Sequence, residues 1–433
     1  MHMPGHKRRA SALRSLDRLD ITEINGFDDL HDPRGVIADI EKRAADLWGA
    51  ERSHILVNGS TCGILAGIYA LAKRGDRIVM ARNCHKSVYH AVELLDLKPV
   101  FIMPETLCGG RFCGKVSARQ VSDAIKSCSE EPALVVITSP TYEGVISDIS
   151  GIAGVCRGQG VPLLVDEAHG AHLDIIDGFH GGAVNAGADI VIQSLHKTLS
   201  CLTQTAVAHV RERFDEPFMH ALNIFETSSP SYLLMASADE CITELRENSR
   251  ILSERWNEAL DSARRKLAGL KNLELFESPD QDRSKLVIIT VKAGISGNGL
   301  SDMLRSGFNI ETEMSAPGHI IAMSGEGDSK ETLSRFADAL LMIDGELTLA
   351  DLKDLPSLPS LPPLVMSITD AMRAKNKRVS LDDALYEISA DYVTPYPPGI
   401  PLMIPGERFT ADTIKAVCAA MPDVQTVKIV CAD

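Results

Sequence analysis

Between residues 53 and 208, short apolar runs alternate with segments of helical character. The runs are predicted as strands, and they lie at 55–57, 77–80, 100–102, 134–138, 162–166, 189–193 and 205–208. The segments between them are predicted as helices at 62–72, 86–95, 117–128 and 148–158. Strands that are apolar on both faces and alternate with helices indicate a mostly parallel sheet covered on both sides. We therefore predict an α/β fold, in which ligands gather at the carboxyl ends of the strands.

The rest of the chain is predicted to add one helix before this sheet and a smaller α+β region after it. The first helix begins at Pro33, and a long helix from Ser231 to Leu270 leads out of the sheet. Further strands and helices are predicted at 286–291, 299–306, 309–323, 330–345, 410–420 and 424–431.

These elements suggest a division into three parts. We expect an N-terminal segment (1–32), a large domain (33–265) and a C-terminal α+β region (266–433). Within the last, residues 355–363 contain repeated prolines, each of which lacks the N–H donor that a helix or a central strand needs. That stretch is predicted to be a linker or a surface crossing.

Charge and apolar patterning exclude several functional classes. The chain has 44 Lys and Arg against 59 Asp and Glu, a net charge of −15, so nucleic acid and anionic membranes are poor partners. No apolar run approaches the roughly 18 residues of a membrane helix, and the first residues lack the apolar core of a signal peptide. We therefore expect a cytoplasmic protein.

The cysteines indicate neither a metal site nor a disulfide framework. There are 10 of them, without a C-x-x-C pair. Cys108 and Cys113 are close in sequence within a glycine-containing loop, and we predict that they are reduced thiols on the surface.

Lys197 is the first candidate for chemistry. It lies in Ser194-Leu195-His196-Lys197-Thr198, directly after the apolar run 189–193, where a strand would deliver its amine to a pocket. A lysine can form a Schiff base with a carbonyl, and pyridoxal 5′-phosphate (PLP) is the usual carbonyl partner. The alternative is an exposed lysine at the end of a strand.

Polar residues at other strand ends could complete such a site, although each has a simpler explanation. Ser60 and Thr61 stand between a strand and a helix, where they could bind a phosphate or merely cap the helix. Asp166 ends an apolar run and would need a cationic partner such as a pyridine nitrogen; otherwise it caps a helix or joins a salt bridge. His85 could stack on a flat ring, or simply be solvated.

Taken together, these residues resemble a known family. The matching motifs, in chain order, are Pro4-Gly5-His6-Lys7, Asp28-Asp29-Leu30-His31, Asn58-Gly59-Ser60-Thr61, Arg82-Asn83-Cys84-His85-Lys86-Ser87, Thr138-Ser139-Pro140-Thr141-Tyr142, Asp166-Glu167-Ala168-His169-Gly170-Ala171-His172, Ser194-Leu195-His196-Lys197-Thr198, Thr227-Ser228-Ser229-Pro230-Ser231-Tyr232 and 395–407. Over nearly its whole length the chain resembles the small, wing-less branch of the ornithine/lysine/arginine decarboxylases, PLP enzymes of the aspartate-aminotransferase fold type.

The resemblance implies a role for each of several residues. Lys197 would be the Schiff-base lysine, Asp166 the partner of the pyridine nitrogen, and His85 the base stacked on the ring. Ala168 would pack on the other face of the ring. The residues expected to hold the phosphate and its surroundings are Ser60, Thr61, Ser194 and His196.

The resemblance also implies a homodimer with its active sites at the interface. The residues expected to reach the phosphate of the neighbouring subunit are Thr227, Ser228 and Ser229. Glu313 matches a family acid whose role stays open.

The implied activity is decarboxylation of arginine, lysine or ornithine to the corresponding amine, with arginine the first candidate. One alternative is the same PLP site acting on another amino acid or in another reaction at Cα. A non-catalytic binding or regulatory descendant is the other, and the presence of Lys197, Asp166 and His85 argues against it.

Two departures from the family pattern bear on specificity. Arg8-Arg9 replaces the usual Gly-Gly, and because the chain begins almost at this motif, a further segment upstream is expected. Glu387 and Asp391 replace an arginine and a glutamate in a segment expected to contact the distal group of the substrate.

Overall fold

The computed structural model describes residues 21–352, 355 and 357–431. The motif Pro4-Gly5-His6-Lys7 and the departure at Arg8-Arg9 therefore lie outside the described residues.

The largest element is a seven-stranded sheet. Its strands are β1 (Arg52–Leu56), β2 (Arg77–Ala81), β3 (Lys98–Ile102), β6 (Leu134–Thr138), β7 (Leu163–Asp166), β8 (Ile190–Ser194) and β9 (Ala206–Val210), in the spatial order β1-β9-β8-β7-β6-β2-β3. The strands from β8 to β3 in this order are parallel, whereas β9 is antiparallel to both of its neighbours. The mostly parallel sheet predicted from the apolar runs is thus confirmed.

Each face of this sheet carries its own apolar core. Successive residues of a strand point to opposite faces, and accordingly Leu56 belongs to one buried cluster while Ile55 and Val57 belong to the other. The helices of this part are α1 (Val36–Trp48), α2 (Gly59–Leu71), α3 (Lys86–Leu95), α4 (Ala118–Ser127), α5 (Ile149–Gly158), α6 (Ala183–Ala186), α7 (Leu195–Thr198) and α8 (Asp215–Phe225).

A long helix, α9 (Tyr232–Leu267), leads to a second sheet. This sheet is antiparallel and consists of β10 (Glu274–Leu275), β11 (Lys285–Ile289), β13 (His319–Met323) and β12 (Met314–Ala316), in that order. Helices α10 (Gly297–Phe308) and α11 (Lys330–Glu346) accompany it. The domain boundary proposed at 265/266 falls within the last turn of α9 and stays a prediction.

The end of the chain forms a third sheet with its own small core. Strands β14 (Asn376–Ser380) and β15 (Thr426–Val430) pair antiparallel beside α13 (Ala411–Ala420), whereas α12 (Ile368–Arg373) packs on α3. Strand β14 escaped sequence analysis because Asn376, Lys377 and Arg378 are exposed and give no apolar alternation. The described residues of 355–363 form neither a helix nor a strand of a sheet, as their prolines predict.

Two local features differ from the sequence patterns. The apolar run 189–193 continues to Ser194 as β8, and the next residues turn into the short helix α7, with Leu199 N–H donating to Leu195 O at 3.0 Å. Cys113 lies in β5 (Phe112–Cys113), which pairs with β4 (Thr106–Leu107), and both it and Cys108 are half-buried rather than loose on the surface.

Candidate active site

A cavity of about 210 Å³ lies at the carboxyl ends of the parallel strands. Strands β6, β7 and β8 end there at Thr138, Asp166 and Ser194, and α2 begins there after β1. Parallel strands bring their carboxyl ends to one edge, which is where ligands of such sheets bind. The predicted residues that line this cavity are Ser60, Thr61, His85, Asp166, Ala168, Ser194, His196 and Lys197.

Lys197 is held by the short helix α7. Its Nζ lies 3.0 Å from Nε2 of His169. Burial lowers the pKa of the Lys197 amine, and the carboxylates of Asp166 and Glu313 oppose that shift. A lysine with a lowered pKa keeps more of its amine in the uncharged, nucleophilic form, which is the form that adds to a carbonyl.

Asp166 is almost fully buried, with 4% of its surface exposed. The backbone N–H of Ala168 donates to its Oδ1 at 3.1 Å. Burial raises the pKa of Asp166, against the opposing effects of Lys197 and the Ala168 N–H. A protonated pyridine nitrogen would supply the cationic partner that such a buried carboxylate needs, so this residue fits PLP.

The phosphate end of PLP fits the start of α2. Asn58 occupies the N-cap position without a side-chain cap hydrogen bond, so the interpretation of Ser60 and Thr61 as mere N-caps is wrong. Ser194 Oγ donates to Ser60 Oγ at 3.0 Å, which brings hydroxyls from two elements together. Hydroxyls beside the positive end of a helix dipole form an anion site.

His85 forms one wall of the cavity. Its Nδ1 lies 2.9 Å from Ser87 Oγ, and burial, with smaller effects from Lys197 and Lys86, lowers the pKa of His85 to about 4. Gly399 covers the ring: a Cβ built at this position would lie 2.9 Å from the imidazole. The backbone N–H of Lys86 also donates to Gly399 O at 2.9 Å. The imidazole is therefore neutral at pH 7 and held from two sides.

The cavity also contains residues to which the sequence assigned no role. His169 stacks edge-on against Tyr142 with 4.8 Å between ring centroids, and the Tyr142 hydroxyl donates to Glu313 Oε1 at 2.6 Å. Both rings belong to motifs on which the family resemblance rests. The sequence therefore indicated that these positions matter, but it could not predict their contacts. The other lining residues without an assigned role are Gly59, Asn83, Thr138, Tyr396, Pro398 and Ile400.

Contacts between sequence-distant segments tie the second sheet to this site. Lys285, at the start of β11, places its Nζ 3.0 Å from His169 Nδ1. The backbone N–H of Glu326 donates to Thr198 O, next to Lys197, at 2.8 Å. Together with the Tyr142–Glu313 bond, these contacts hold the cavity from the side of the second sheet.

The segment expected to serve a neighbouring subunit lies away from the cavity of its own chain. Thr227 is half-buried and its carbonyl accepts from His31 Nε2 at 2.8 Å, whereas Ser228 and Ser229 are exposed. Their reach into a partner's site stays a prediction.

The two C-terminal departures do not contact the cavity within one chain. Glu387 is exposed, and Asp391 pairs with Lys428 at 2.7 Å. A contact between either residue and a substrate held by a partner subunit stays a prediction.

The described residues contain neither a metal-binding cluster nor a membrane helix. Among residues 21–352, 355 and 357–431, no three His, Cys, Asp or Glu side chains are grouped as a metal site would require. Within the same ranges, no helix combines the length and apolar character needed to cross a bilayer.

Comparison with known proteins agrees with this geometry. The family model described as "Orn/Lys/Arg decarboxylase, major domain" matches residues 14–290, and the model of the corresponding C-terminal domain matches residues 359–421. An arginine decarboxylase of Bacillus subtilis is 32% identical over 437 residues, covering 96% of this chain and 89% of the relative. An arginine decarboxylase of Halalkalibacterium halodurans is 31% identical over 437 residues, covering 95% of this chain and 88% of that relative.

A solved structure gives the same fold. The constitutive lysine decarboxylase of E. coli superposes with a TM-score of 0.76 at 21% identity, covering 93% of this chain and 74% of that one. The family acts through PLP, and the residues around the cavity fit that cofactor. The protein is accordingly a PLP-dependent decarboxylase of basic amino acids. By its sequence, its fold and the composition of this cavity, the chain belongs to the Orn/Lys/Arg decarboxylase family.

Proposed function

We propose that this enzyme decarboxylates arginine, with Lys197, Asp166 and His85 as its principal cofactor-site residues. The observation that carries the proposal is the cavity shared by Lys197, Asp166 and the Ser60 and Ser194 hydroxyls. An amine, a buried acid and an anion site at one sheet edge are what the aldehyde, the ring nitrogen and the phosphate of PLP require.

The side chains divide the work between them. When bound, PLP supplies the electron sink for the pair of electrons that remains on Cα after CO₂ leaves. The buried carboxylate of Asp166 would hold positive charge on the ring nitrogen, and His85, which lines the same cavity, would contact the ring. A proton must then be delivered to Cα. We assign that step to Lys197, whose amine takes up the proton that the substrate ammonium loses on binding and can then return it to Cα. A His85 pKa of about 4 leaves its imidazole without a second proton at pH 7.

An adjoining cavity of about 190 Å³ could receive the side chain of the substrate. It shares Asn83, Tyr142, Pro398 and Ile400 with the first cavity, and Glu143 is among the other residues that line it. A carboxylate there could pair with a guanidinium through two parallel hydrogen bonds. Arg111 also lines this cavity, with Nη1 bound to Cys108 O, and its charge disfavours a cation beside it. We therefore place the guanidinium at Glu143.

The choice of arginine over lysine or ornithine has further support from the relatives. The two reported relatives named arginine decarboxylase are 32% and 31% identical to this chain, whereas the lysine decarboxylase structure is 21% identical.

A substrate panel tests the proposal. Purified protein supplied with PLP is incubated with arginine, lysine, ornithine and neutral amino acids, and the amines are identified by mass spectrometry. We expect the amine of arginine to form with a kcat/KM at least about 10-fold above that of lysine, which corresponds to roughly 1.4 kcal/mol of discrimination. Preferred turnover of another amino acid would reject arginine, and no amine from any of them would reject the proposed chemistry.

The role of Lys197 is tested separately. Borohydride treatment should attach the cofactor covalently to the wild-type protein at Lys197, and Lys197→Ala should lose both the adduct and the activity. Lys73→Ala, at an exposed lysine, is the matched control and should behave as wild type. An adduct at a different lysine would overturn the assignment.

We further propose a homodimer in which Thr227, Ser228 and Ser229 complete the site of the partner subunit. The exposure of Ser228 and Ser229 outside their own cavity supports it. Lys197→Ala and a Thr227→Ala/Ser228→Ala/Ser229→Ala variant should each be inactive. Mixed dimers of the two contain one site with both sets intact and should recover activity. Failure to recover, with mixed dimers demonstrated, would refute the shared site.

A further inference from the structure

A buried imidazole connects two lysine amines in this enzyme. His169 has Lys197 Nζ 3.0 Å from Nε2 and Lys285 Nζ 3.0 Å from Nδ1. His169 is 6% exposed and Lys285 is fully buried, so the contact between these two residues is shielded from solvent. Gly144 packs tightly on the stem of Lys285, since a Cβ there would lie 2.5 Å from Lys285 Cγ. The amine of Lys285 is therefore fixed in place.

The ring can satisfy both contacts only if one of the two amines is uncharged. A neutral imidazole has one N–H and one lone pair, so it donates to one amine and accepts from the other. Burial lowers the pKa of His169 well below its usual value, with further lowering by Lys197 and Lys285, which keeps the ring neutral. The amine that accepts the ring N–H must then offer a lone pair, and it is uncharged.

The surrounding charges decide which amine is the uncharged one. Lys285 favours the ionised forms of Glu143 and of Asp282, and the carboxylate of Asp282 also accepts from the Ser284 hydroxyl. Asp282 keeps its interaction with Lys285 when cofactor and substrate bind, whereas Asp166 is committed to the ring nitrogen and Glu143 to the substrate. The titratable groups that face the three side chains are Asp166, Glu313, Glu143, Asp282, His85, His196 and Tyr142.

We propose that Lys285 is a positioning residue that acts through His169: as an ammonium it donates to Nδ1, which puts the ring proton on Nε2 and holds Lys197 as a free-base amine. This inference rests on the proposed role of Lys197. It adds a residue from the second sheet that prepares the nucleophile without touching the cofactor.

The test is the reactivity of Lys197 in full-length protein stripped of PLP. Trace labelling with acetic anhydride over a range of pH, followed by peptide mass spectrometry, gives the apparent pKa of each lysine, with exposed Lys73 as internal reference. Lys285→Met should raise the pKa of Lys197 by about one unit and so reduce its labelling at pH 7 by about 10-fold. Lys285→Arg and Lys285→Gln keep an N–H donor toward Nδ1 and should label nearly as wild type.

Combining the substitution of Lys285 with one of His169 distinguishes an effect transmitted through the His169 ring from direct charge repulsion between the two lysines. His169→Leu alone should reduce Lys197 labelling, and adding Lys285→Met to it should change little further, because the connecting ring is gone. An equal effect of Lys285→Met in both backgrounds would show action through space and overturn the proposal. The proposal would also be overturned if Lys197 were labelled as in wild type in both Lys285→Met and His169→Leu. If Lys285→Met does not fold, the labelling of Lys197 in His169→Leu alone still tests the role of the ring. A wild-type enzyme without decarboxylase activity would contradict the proposed function instead, leaving the labelling result intact.

Discussion

Burial is the largest influence on the titratable side chains of the active site. It lowers the pKa of Lys197 and raises that of Asp166, so it pushes both groups toward their neutral forms. A cationic ring nitrogen beside Asp166 would reverse the effect on the acid. The site is therefore electrostatically complete only with its cofactor, while the lysine is prepared for the carbonyl in advance.

The same effect at Glu143 predicts a pH-dependent KM. Burial raises the pKa of Glu143 to about 7, and the Thr141 hydroxyl and Lys285 oppose the shift. The carboxylate that would bind guanidinium is thus present above pH 7 and becomes protonated below it. We expect KM for arginine to rise about 10-fold between pH 8 and pH 6, since the ionised fraction falls about 10-fold per pH unit below the pKa.

Glu143→Gln should remove that dependence. Its KM for arginine at pH 8 should be about 10- to 100-fold above that of the wild type, because a hydrogen bond to a charged group is lost. This KM should change little with pH. Glu105→Gln, at an exposed acid before β4, is the control for a lost negative charge. If the KM of Glu143→Gln were within about twofold of that of the wild type, Glu143 would not be the residue that binds the guanidinium.

At the scale of elements, the sequence predicts best where one strong period controls a segment. Helix α3 and strand β6 have the predicted bounds, because an amphipathic helix and a fully apolar strand leave little ambiguity. Helix α7 was missed because a single turn after a strand has no period to detect. The pairing of His169 with Lys285 joins residues 116 positions apart, a contact that no local pattern encodes.

The loop that covers His85 gives a test at this scale. Gly399 has φ of +83° and its missing Cβ leaves room for the imidazole, whereas at Gly75, with φ of +84°, an added Cβ would meet nothing within 4 Å. Gly399→Ala and Gly75→Ala should both lose about 1–2 kcal/mol of stability from the left-handed backbone. Only Gly399→Ala should also lower kcat/KM, by about 100-fold, because it displaces the ring.

Thermal unfolding and steady-state kinetics of the two variants measure these effects. Equal activity of Gly399→Ala and Gly75→Ala would mean that the position of His85 does not matter to catalysis.

For the whole molecule, a buried ion pair fixes the C-terminal region on the first sheet. Arg82, three residues before His85, lies 3.1 Å from Glu407, and its Nη1 also donates to Pro401 O at 2.8 Å. Glu407 is fully buried and accepts from the backbone N–H of Ile404 at 2.9 Å. The C-terminal residues that shape the cavity wall are thereby anchored to the strand end that carries His85.

Removing one partner of this pair should be costly. Glu407→Gln leaves the Arg82 charge buried without compensation, and we expect a loss of about 3–5 kcal/mol in the free energy of unfolding. Asp391→Asn, which breaks the half-exposed pair with Lys428, should cost no more than about 1 kcal/mol. Urea denaturation measures the free energy of unfolding of both variants. Similar losses in the two would show that the buried pair of Arg82 and Glu407 contributes no more to stability than the half-exposed pair.

The bonds from Tyr142 to Glu313, from His169 to Lys285 and from Thr198 to Glu326 share one property: each begins near the reactive lysine and ends in the segment 285–326. Gene fragments that stop before this segment would encode the lysine without the neighbours that tune it. A chimera that exchanged 285–326 between two relatives would likewise exchange part of the catalytic chemistry while leaving every cofactor-lining strand of the first sheet untouched. For protein engineers, this stretch is therefore a place to alter reactivity from outside the cavity.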